Sequence, residues 1–513
     1  MKESRTARPL RFVQAAVALV LAASLFAWLQ FHTRDICCSD FDGYYHIKWA
    51  SLLGQGIRQG HFPPAFTWLP LTALNAGAYA DQHLLFHLLL IPFLWFAAPV
   101  TAAKISAVFF ASLALLACFC LVLSYRLDHK WIWLLALLGS SSLFLFRMSM
   151  TRAQSVSVTL IALGIYLLFE RKYRWLAPAA FLYLWTYNLF VILAAMALLW
   201  TFAGWWSERR WDWRPVLWTV LGLAAGFVIN PYFPNDVRLF WLHVTHRAPL
   251  ALGPGAGSEW YPLNAWDLLA FNGLACALMA AGYLAFGNLL AAGSRRRMQR
   301  PLFLLLLATM LLVLTARSKR FVEYWPPMAV LFAAFTFQAA NGLRERSPAR
   351  SDRPGKKIRF AAAAVVLASL AYQAHLARLL IETPVGPEQY RNGALWLREH
   401  APPGAMIFDA SWDDFPKLYY YDDQFTYVSG LDPLYFAVRD PNLAGAYQRI
   451  VTGRDRFAGP RIRDAFGAQY VFLSAAVARD FYTSAMLSGQ FEKVYSDEQC
   501  IILKVRDMAA QSD

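Results

Sequence analysis

The residues best suited to chemistry stand at the ends of apolar runs rather than inside them. "CCSDFDGYYHIKWA", residues 37 to 50, follows the first such run and carries Asp40 and Asp42 beside Tyr44, Tyr45 and His46. "GPGAGSEWYPLNAW" places Glu259 just before a later run, and "RSKRFVEYW" places Arg317, Lys319 and Arg320 at the boundary of another. "FRMSMTRAQ" adds Arg147 and Arg152. Carboxylates can take a proton from a nucleophile or orient it, while cations clamp a phosphate and stabilise charge growing on it. Each set also has a plainer reading. Asp favours a helix N-cap, Trp260 and Tyr261 are residues that anchor at lipid headgroups, and long cationic side chains snorkel to an interface.

The elements that must position these residues are membrane helices. Of 513 residues, 58% are hydrophobic and only 16% charged, more apolar than a soluble enzyme of this size needs to be. Residues 12 to 31, "FVQAAVALVLAASLFAWLQF", are uncharged and long enough to cross about 30 Å of hydrocarbon. They follow the basic "MKESRTARPLR" with no polar cleavage region behind them, so they are expected to remain as a helix whose amino end is cytoplasmic. Further crossings are expected at 98 to 124, 131 to 146, 155 to 169, 175 to 186, 188 to 206, 215 to 229, 265 to 292, 301 to 315, 322 to 340 and 360 to 380. This threading of eleven crossings keeps "SYRLDHK", "ERKYR", "SERRWDWR", "SRRRMQR" and "LRERSPARSDRPGKKIR" all inside. Residues 82 to 97, "QHLLFHLLLIPFLWFA", would invert the pattern as a crossing. They are therefore expected in the first outer loop, 32 to 97, as a surface or re-entrant element. Orientation in the membrane accounts for the net charge of +15, with no nucleic acid implied.

After about residue 384 the character of the chain changes. "YRNGALWLREHAPPGAMIFDAS" reads as a helix, a Pro-Pro-Gly break and a short strand, and "AQYVFLS", "FEKVYSD" and "CIILKV" read as further strands. The expected architecture is a polytopic α-helical membrane protein, residues 1 to 384, with an α/β domain at 385 to 513 on the outer side. The six cysteines show neither metal spacing nor a disulfide framework. Adjacent Cys37 and Cys38 could form a redox pair, but the default expectation is two ordinary thiols.

Parity thus places Asp40, Asp42, Glu259 and the cationic clusters on one side. Together they would offer an acid or base, a second carboxylate and phosphate-binding cations, the set that sugar transfer from a polyprenyl phosphate needs. On these residues the chain resembles the GT-C superfamily of polytopic glycosyltransferases, most closely the catalytic subunit of oligosaccharyltransferases. "SDFDGYYH" is similar to that family's first outer loop and aligns Asp42 with its aspartate, with Asp40 as the weaker neighbour. "GSEWYPLNAW" is similar to its Ser-Glu motif and aligns Glu259, while Arg320 best matches its membrane-boundary arginine. "ASWDDFPKLYYY" stands where the family has Trp-Trp-Asp-Tyr-Gly and keeps Trp412 and Asp413.

The resemblance implies an inverting glycosyltransferase of the cytoplasmic membrane, taking sugar from a polyprenyl-phosphate-linked donor to a glycan, lipid or protein acceptor on the outer face. Asp42 would be the base or acceptor-orienting carboxylate and Glu259 the second carboxylate. Arg320, Arg317 and Arg147 would meet the donor phosphate, and Tyr44, Tyr45, His46, Trp412 and Asp413 the acceptor. A divalent ion, Mg or Mn, would be held by Asp42 and Glu259. Two departures matter. One Trp and the Tyr-Gly of the acceptor motif are missing, which weighs against recognition of Asn-x-Ser/Thr, and the second outer loop "FRMSMTRAQSVS" lacks the family's acidic pair. Loss of that pair favours a monosaccharide-phosphate donor over an oligosaccharide diphosphate. A transporter of lipid-linked sugars and a noncatalytic partner subunit are the readings from other classes. No internal repeat supports the first, and the presence of Asp42 and Glu259 counts against the second.

Overall fold

Each run that hydropathy marks as a crossing forms helix in the computed structural model, which describes residues 7–250, 257–293, 295, 298–344, 356–383, 386–475 and 479–506. In order these begin with α1 (Ala7–His32), α2 (Phe41–Arg58), α3 (Leu84–Leu90) and α4 (Pro99–Ser124). Then come α5 (Lys130–Gly139), α6 (Ser142–Met148), α7 (Gln154–Phe169), α8 (Leu176–Thr186), α9 (Val191–Glu208) and α10 (Arg214–Val228). The bundle ends with α11 (Asn235–Leu250), α12 (Ala265–Ala291), α13 (Gln299–Arg317), α14 (Trp325–Arg344) and α15 (Lys356–Ile381). Among the described residues six helices are long and apolar enough to cross a membrane alone: α1, α4, α9 with the turn before it, α12, α13 and α15. The chain is a multi-pass membrane protein.

The expected crossing at 131 to 146 is not one straight helix. α5 and α6 meet at 76°, and counting the pair as one broken span raises the number to seven. The cause is local: "GSSS" interrupts the apolar run, and Ser141 caps α6 by accepting from the backbone N of Phe144 at 2.9 Å. The break turns Arg147, at the end of α6, away from the direction of α5.

Residues 82 to 97 form a short helical element. α3 and the 3-10 turn Ile91–Trp95 make twelve helical residues, about 18 Å, shorter than the hydrocarbon is thick. They pack on α2 and α8. The helix α11, in the connection after α10, is not anticipated by hydropathy, since its sequence is nearly half polar. Cys37 and Cys38, expected as free thiols, are bonded to each other in the 3-10 turn Cys37–Ser39. An extended strand would point neighbouring side chains apart, whereas this turn brings them together.

The tail forms the expected helix α16 (Arg391–His400) and strands β1 (Met406–Asp409), β2 (Thr426–Tyr427), β3 (Ala468–Ser474), β4 (Phe491–Ser496) and β5 (Cys500–Val505). Their order is β2-β1-β3-β5-β4, parallel from β2 to β3 and antiparallel through β5 to β4. Helices α17 (Phe415–Tyr421), α18 (Pro433–Arg439), α19 (Pro441–Val451), α20 (Ala458–Phe466) and α21 (Arg479–Leu487) surround the sheet. The boundary expected at 384 lies at the edge of residues outside the described set. One apolar core joins Trp49, Phe66 and Tyr79 of the first outer loop to Phe415, Tyr419 and Tyr427 of the tail. Beneath it, Lys417 Nζ lies 3.0 Å from Asp35 Oδ2, with both side chains buried. The tail is thereby seated on the loop that carries Asp42.

Candidate functional site

Connections far apart in sequence meet in one cavity of about 950 Å³. Its walls come from the start of α2, residues 79 to 83, the turn between α6 and α7, and Tyr187 and Asn188 between α8 and α9. Residues 257 to 263 before α12, 319 to 322 between α13 and α14, and parts of the tail complete it. Every one of these segments belongs to the side expected to face outward, so they share one end of the bundle.

Asp40 occupies the N-cap position of α2, yet its carboxylate makes no capping bond. It is spent on Arg152, whose Nε lies 2.9 and 3.0 Å from the two oxygens and whose Nη2 lies 2.6 Å from Oδ1. The same Nη2 stands 3.0 Å from Asp42 Oδ2, and Arg152 Nη1 stands 3.5 Å from Glu259 Oε2. Gly43 lets α2 begin this close to the preceding turn, since a Cβ there would lie 2.9 Å from Ile36 Cγ2.

Glu259 is the meeting point of three guanidinium groups. Arg147 Nη1 reaches its Oε2 at 2.8 Å, Arg152 the same oxygen at 3.5 Å, and Arg320 Nη1 its Oε1 at 3.5 Å. Burial alone would push this carboxyl up, but Arg147, Arg320 and Arg152 outweigh it and hold Glu259 well below the usual carboxylate range. Glu259 therefore stays ionised and is a poor base. Arg147 also binds the buried Glu323 through Nε at 2.8 Å and through Nη2. Arg320 donates to Tyr187 OH from Nη2 at 2.6 Å and lies over the Trp260 ring at 4.8 Å.

Asp42 differs. Burial, with Asp40, Asp413 and Glu259 nearby, pushes its carboxyl up to about 7 against the pull of Arg152. It can change charge near neutrality, which suits a group that orients or accepts a proton.

These carboxylates do not fit a Mg or Mn site. The guanidinium of Arg152 fills the place between Asp40, Asp42 and Glu259 where a cation would sit. Among the described residues no group of three His, Cys, Asp or Glu side chains is disposed to hold an ion.

No protein-family model matches the sequence, and no curated protein matches it. Solved structures do. AglB, an archaeal oligosaccharyltransferase from Archaeoglobus fulgidus in complex with an inhibitory peptide and a dolichol-phosphate, aligns with a TM-score of 0.64 over 94% of this chain and 73% of that one, at 14% identity. Arabinofuranosyltransferase AftD from Mycobacteria aligns at 0.58 over 99% of this chain and 40% of that one, at 16% identity. ArnT from Cupriavidus metallidurans, bound to undecaprenyl phosphate, aligns at 0.51 over 98% of both chains, at 15% identity. The fold is that of the GT-C glycosyltransferases.

Within this GT-C fold, Asp42, Tyr45, His46, Glu259, Arg147, Arg320, Trp412 and Asp413 all line the cavity. Two expected residues do not. Arg317 is exposed in the last turn of α13, because Leu311, Thr315 and Ser318 occupy the inward face and Arg317 falls on the other. Tyr44 is turned away from Asp42, Tyr45 and His46, which share one face of α2, and its hydroxyl donates to Asp35 beneath the tail. Sequence reasoning did not single out Glu323, Tyr187, Asp81, His83 or His87. A signal existed for the last two: "HLLFH" in "QHLLFHLLL" puts His83 and His87 four apart, on one helical face.

Proposed function

We propose that this GT-C chain is an inverting glycosyltransferase that moves a sugar from a polyprenyl-phosphate-linked donor to an acceptor at the outer face of the cytoplasmic membrane. The observation that carries this reading is the gathering of Arg147, Arg320 and Lys319 with Asp42 in a single cavity where the helices end. The cations would receive the donor phosphate and stabilise the charge it gains as the bond to the sugar breaks. Asp42 would accept a hydrogen bond from the attacking hydroxyl and hold it behind the anomeric carbon. Glu259 would keep the three arginines in register before the phosphate arrives. The reading routes no step through a divalent ion, since Arg152 already neutralises the carboxylates. Support of a coarser kind comes from fold neighbours, of which ArnT is bound to undecaprenyl phosphate and AglB to a dolichol-phosphate.

A second reading, oligosaccharide transfer to protein, is favoured by the higher TM-score to AglB. The absent second-loop acids and the incomplete motif around Trp412 weigh against it.

Labelled-sugar transfer in membranes carrying wild type, Asp42→Ala or Arg320→Ala, with polyprenyl-phosphate and polyprenyl-diphosphate donors and matched expression, tests the reading. Transfer lost in both variants supports it, and the donor consumed chooses between the two forms. Equal product from wild type and Asp42→Ala defeats the role of Asp42.

A further inference from the structure

Beside the arginines, the cavity wall holds a chain of buried rings that the transfer scheme has not used. Asp81 Oδ2 accepts from Trp49 Nε1 at 2.9 Å and from His87 Nδ1 at 2.7 Å, while Oδ1 accepts from the backbone N of His83 at 2.8 Å. His87 Nε2 in turn lies 2.7 Å from His46 Nδ1. All three links are buried, with Asp81 at 4%, His87 at 0% and His46 at 5% exposure, and of the two rings only His46 lines the cavity.

Proton positions follow from this order. An Asp81 carboxylate has no proton to give, so His87 carries a proton on Nδ1, and with that one proton the ring presents a bare Nε2. Only an Nδ1–H on His46 can satisfy that lone pair. His46 Nε2 is then itself bare, and no bond to it exists among the described residues. His46 follows Asp42 by one turn on the same face of α2. Its ring centre is 5.3 Å from that of His83, which stacks on Tyr187 at 5.4 Å, and Tyr187 is the partner of Arg320. His46 thus lines the same cavity as the carboxylate that meets the acceptor and is linked through His83 and Tyr187 to the arginine that meets the phosphate.

We propose that His46 Nε2 is the general base of the transfer and that His87 and Asp81 are positioning residues that draw the acquired charge out of the cavity. The proposal rests on the transferase reading above. As the acceptor O–H bond breaks, its oxygen bonds to the anomeric carbon, and the carbon's bond to the phosphate oxygen breaks with its electron pair leaving on the phosphate. The acceptor proton goes to His46 Nε2, and the Nδ1 proton of His46 passes to His87 Nε2. Positive charge ends on His87 beside Asp81, not next to Arg147, Arg152 and Arg320. Burial, with His87, His83 and Arg152 facing the ring, holds His46 well below the ordinary imidazole range, so the ring rests neutral and takes a proton at Nε2 only as its Nδ1 proton passes to His87. Asp42, already paired with Arg152, is left to orient the hydroxyl.

Nitrogen-15 NMR of histidine-labelled protein in bilayers reports each ring's tautomer without substrate. The wild type should show a His46 signal protonated on Nδ1 and bare on Nε2, assigned by its disappearance in His46→Gln, and His87→Gln should redistribute that tautomer. A wild-type His46 protonated on Nε2 overturns the chain whatever the substrate. In the transfer assay, His46→Gln should lower kcat about 100-fold or more while donor KM stays within about twofold. His87→Gln should shift the pH dependence of kcat, against a background in which His83, His87 and Arg152 are the titratable and charged groups facing His46. Unchanged kcat in His46→Gln overturns the base assignment. Should the wild type transfer no sugar from any polyprenyl-linked donor, the transferase reading falls and the base assignment with it, while the tautomer still decides the hydrogen-bonded chain.

Discussion

Arg152 grips Asp40 with a fork, its Nε and Nη2 both within 3.0 Å of the carboxylate. The Asp40 side chain is wholly buried, so this guanidinium is the charge that permits an aspartate at that depth. Removing it leaves an uncompensated buried carboxylate. Arg152→Ala is expected to lose about 3 kcal/mol of stability, read as a lower Tm in detergent. Adding Asp40→Asn should recover part of that loss, because the stranded charge is then gone. Equal Tm for wild type and Arg152→Ala would show the fork to be dispensable.

The same guanidinium stands where a metal would. Wild-type protein should bind no Mn2+ in the cavity by electron paramagnetic resonance, and chelation should leave its transfer rate unchanged. Arg152→Ala, which frees Asp40 and Asp42, should acquire a Mn2+ signal that a further Asp42→Asn removes. A stoichiometric wild-type Mn2+ signal lost in Asp42→Asn would contradict this arrangement.

Arg320 is pre-set by Tyr187 and Trp260 to meet a phosphate. A charge-assisted hydrogen bond is worth about 1.5 to 3 kcal/mol, so Arg320→Ala should weaken polyprenyl-phosphate binding about 10 to 100-fold. Tyr187→Phe should have a smaller effect, since it removes the positioning bond and keeps the cation. Titration of the lipid phosphate against tryptophan fluorescence would measure both.

Asp42 links stability to pH. Its carboxyl rises from 3.8 unfolded to about 7 folded, so between those values the folded state holds the proton more tightly. Stability from this group is therefore greatest below about 4 and declines as pH rises to about 7, the reverse of a salt-bridged carboxylate with a depressed value. Asp42→Asn should flatten this part of the Tm profile and melt higher than wild type at pH 8. A wild-type profile parallel to that of Asp42→Asn would remove Asp42 as the titrating group.

Lys417 ties the tail to the first outer loop through Asp35 and is held within the tail by Gln389, both at 3.0 Å. Lys417→Met strands Asp35 in a buried site, at a cost of about 3 kcal/mol. Limited proteolysis should then cut the tail faster than in wild type, and the double variant with Asp35→Asn should be protected again. Unaltered cleavage would place the anchoring elsewhere, in the aromatic core around Trp49 and Tyr419.

The sequence by itself determined that the long apolar runs are helices, because hydropathy is local: a long run without charge has to bury its backbone as helix wherever it lies. It likewise determined that α16 and four of the five strands form the tail, and that Asp42, Glu259 and Arg320 share one side. Local pattern also offered Asp40 and Asp42 for an N-cap, and Asp40 takes that position, but its carboxylate is bonded instead to an arginine 112 positions later, of which a capping preference says nothing. Only the tertiary structure decided that Arg152 stands among the carboxylates, that the bend between α5 and α6 brings Arg147 to Glu259 and Glu323, and that Arg317 and Tyr44 face elsewhere. It alone joined His46 to His87 and Asp81. Each of these outcomes depends on helix phase and on which neighbours exclude water, and a buried charge takes whatever partner packing supplies within a few ångströms. That partner is a property of the assembled bundle and not of any one segment.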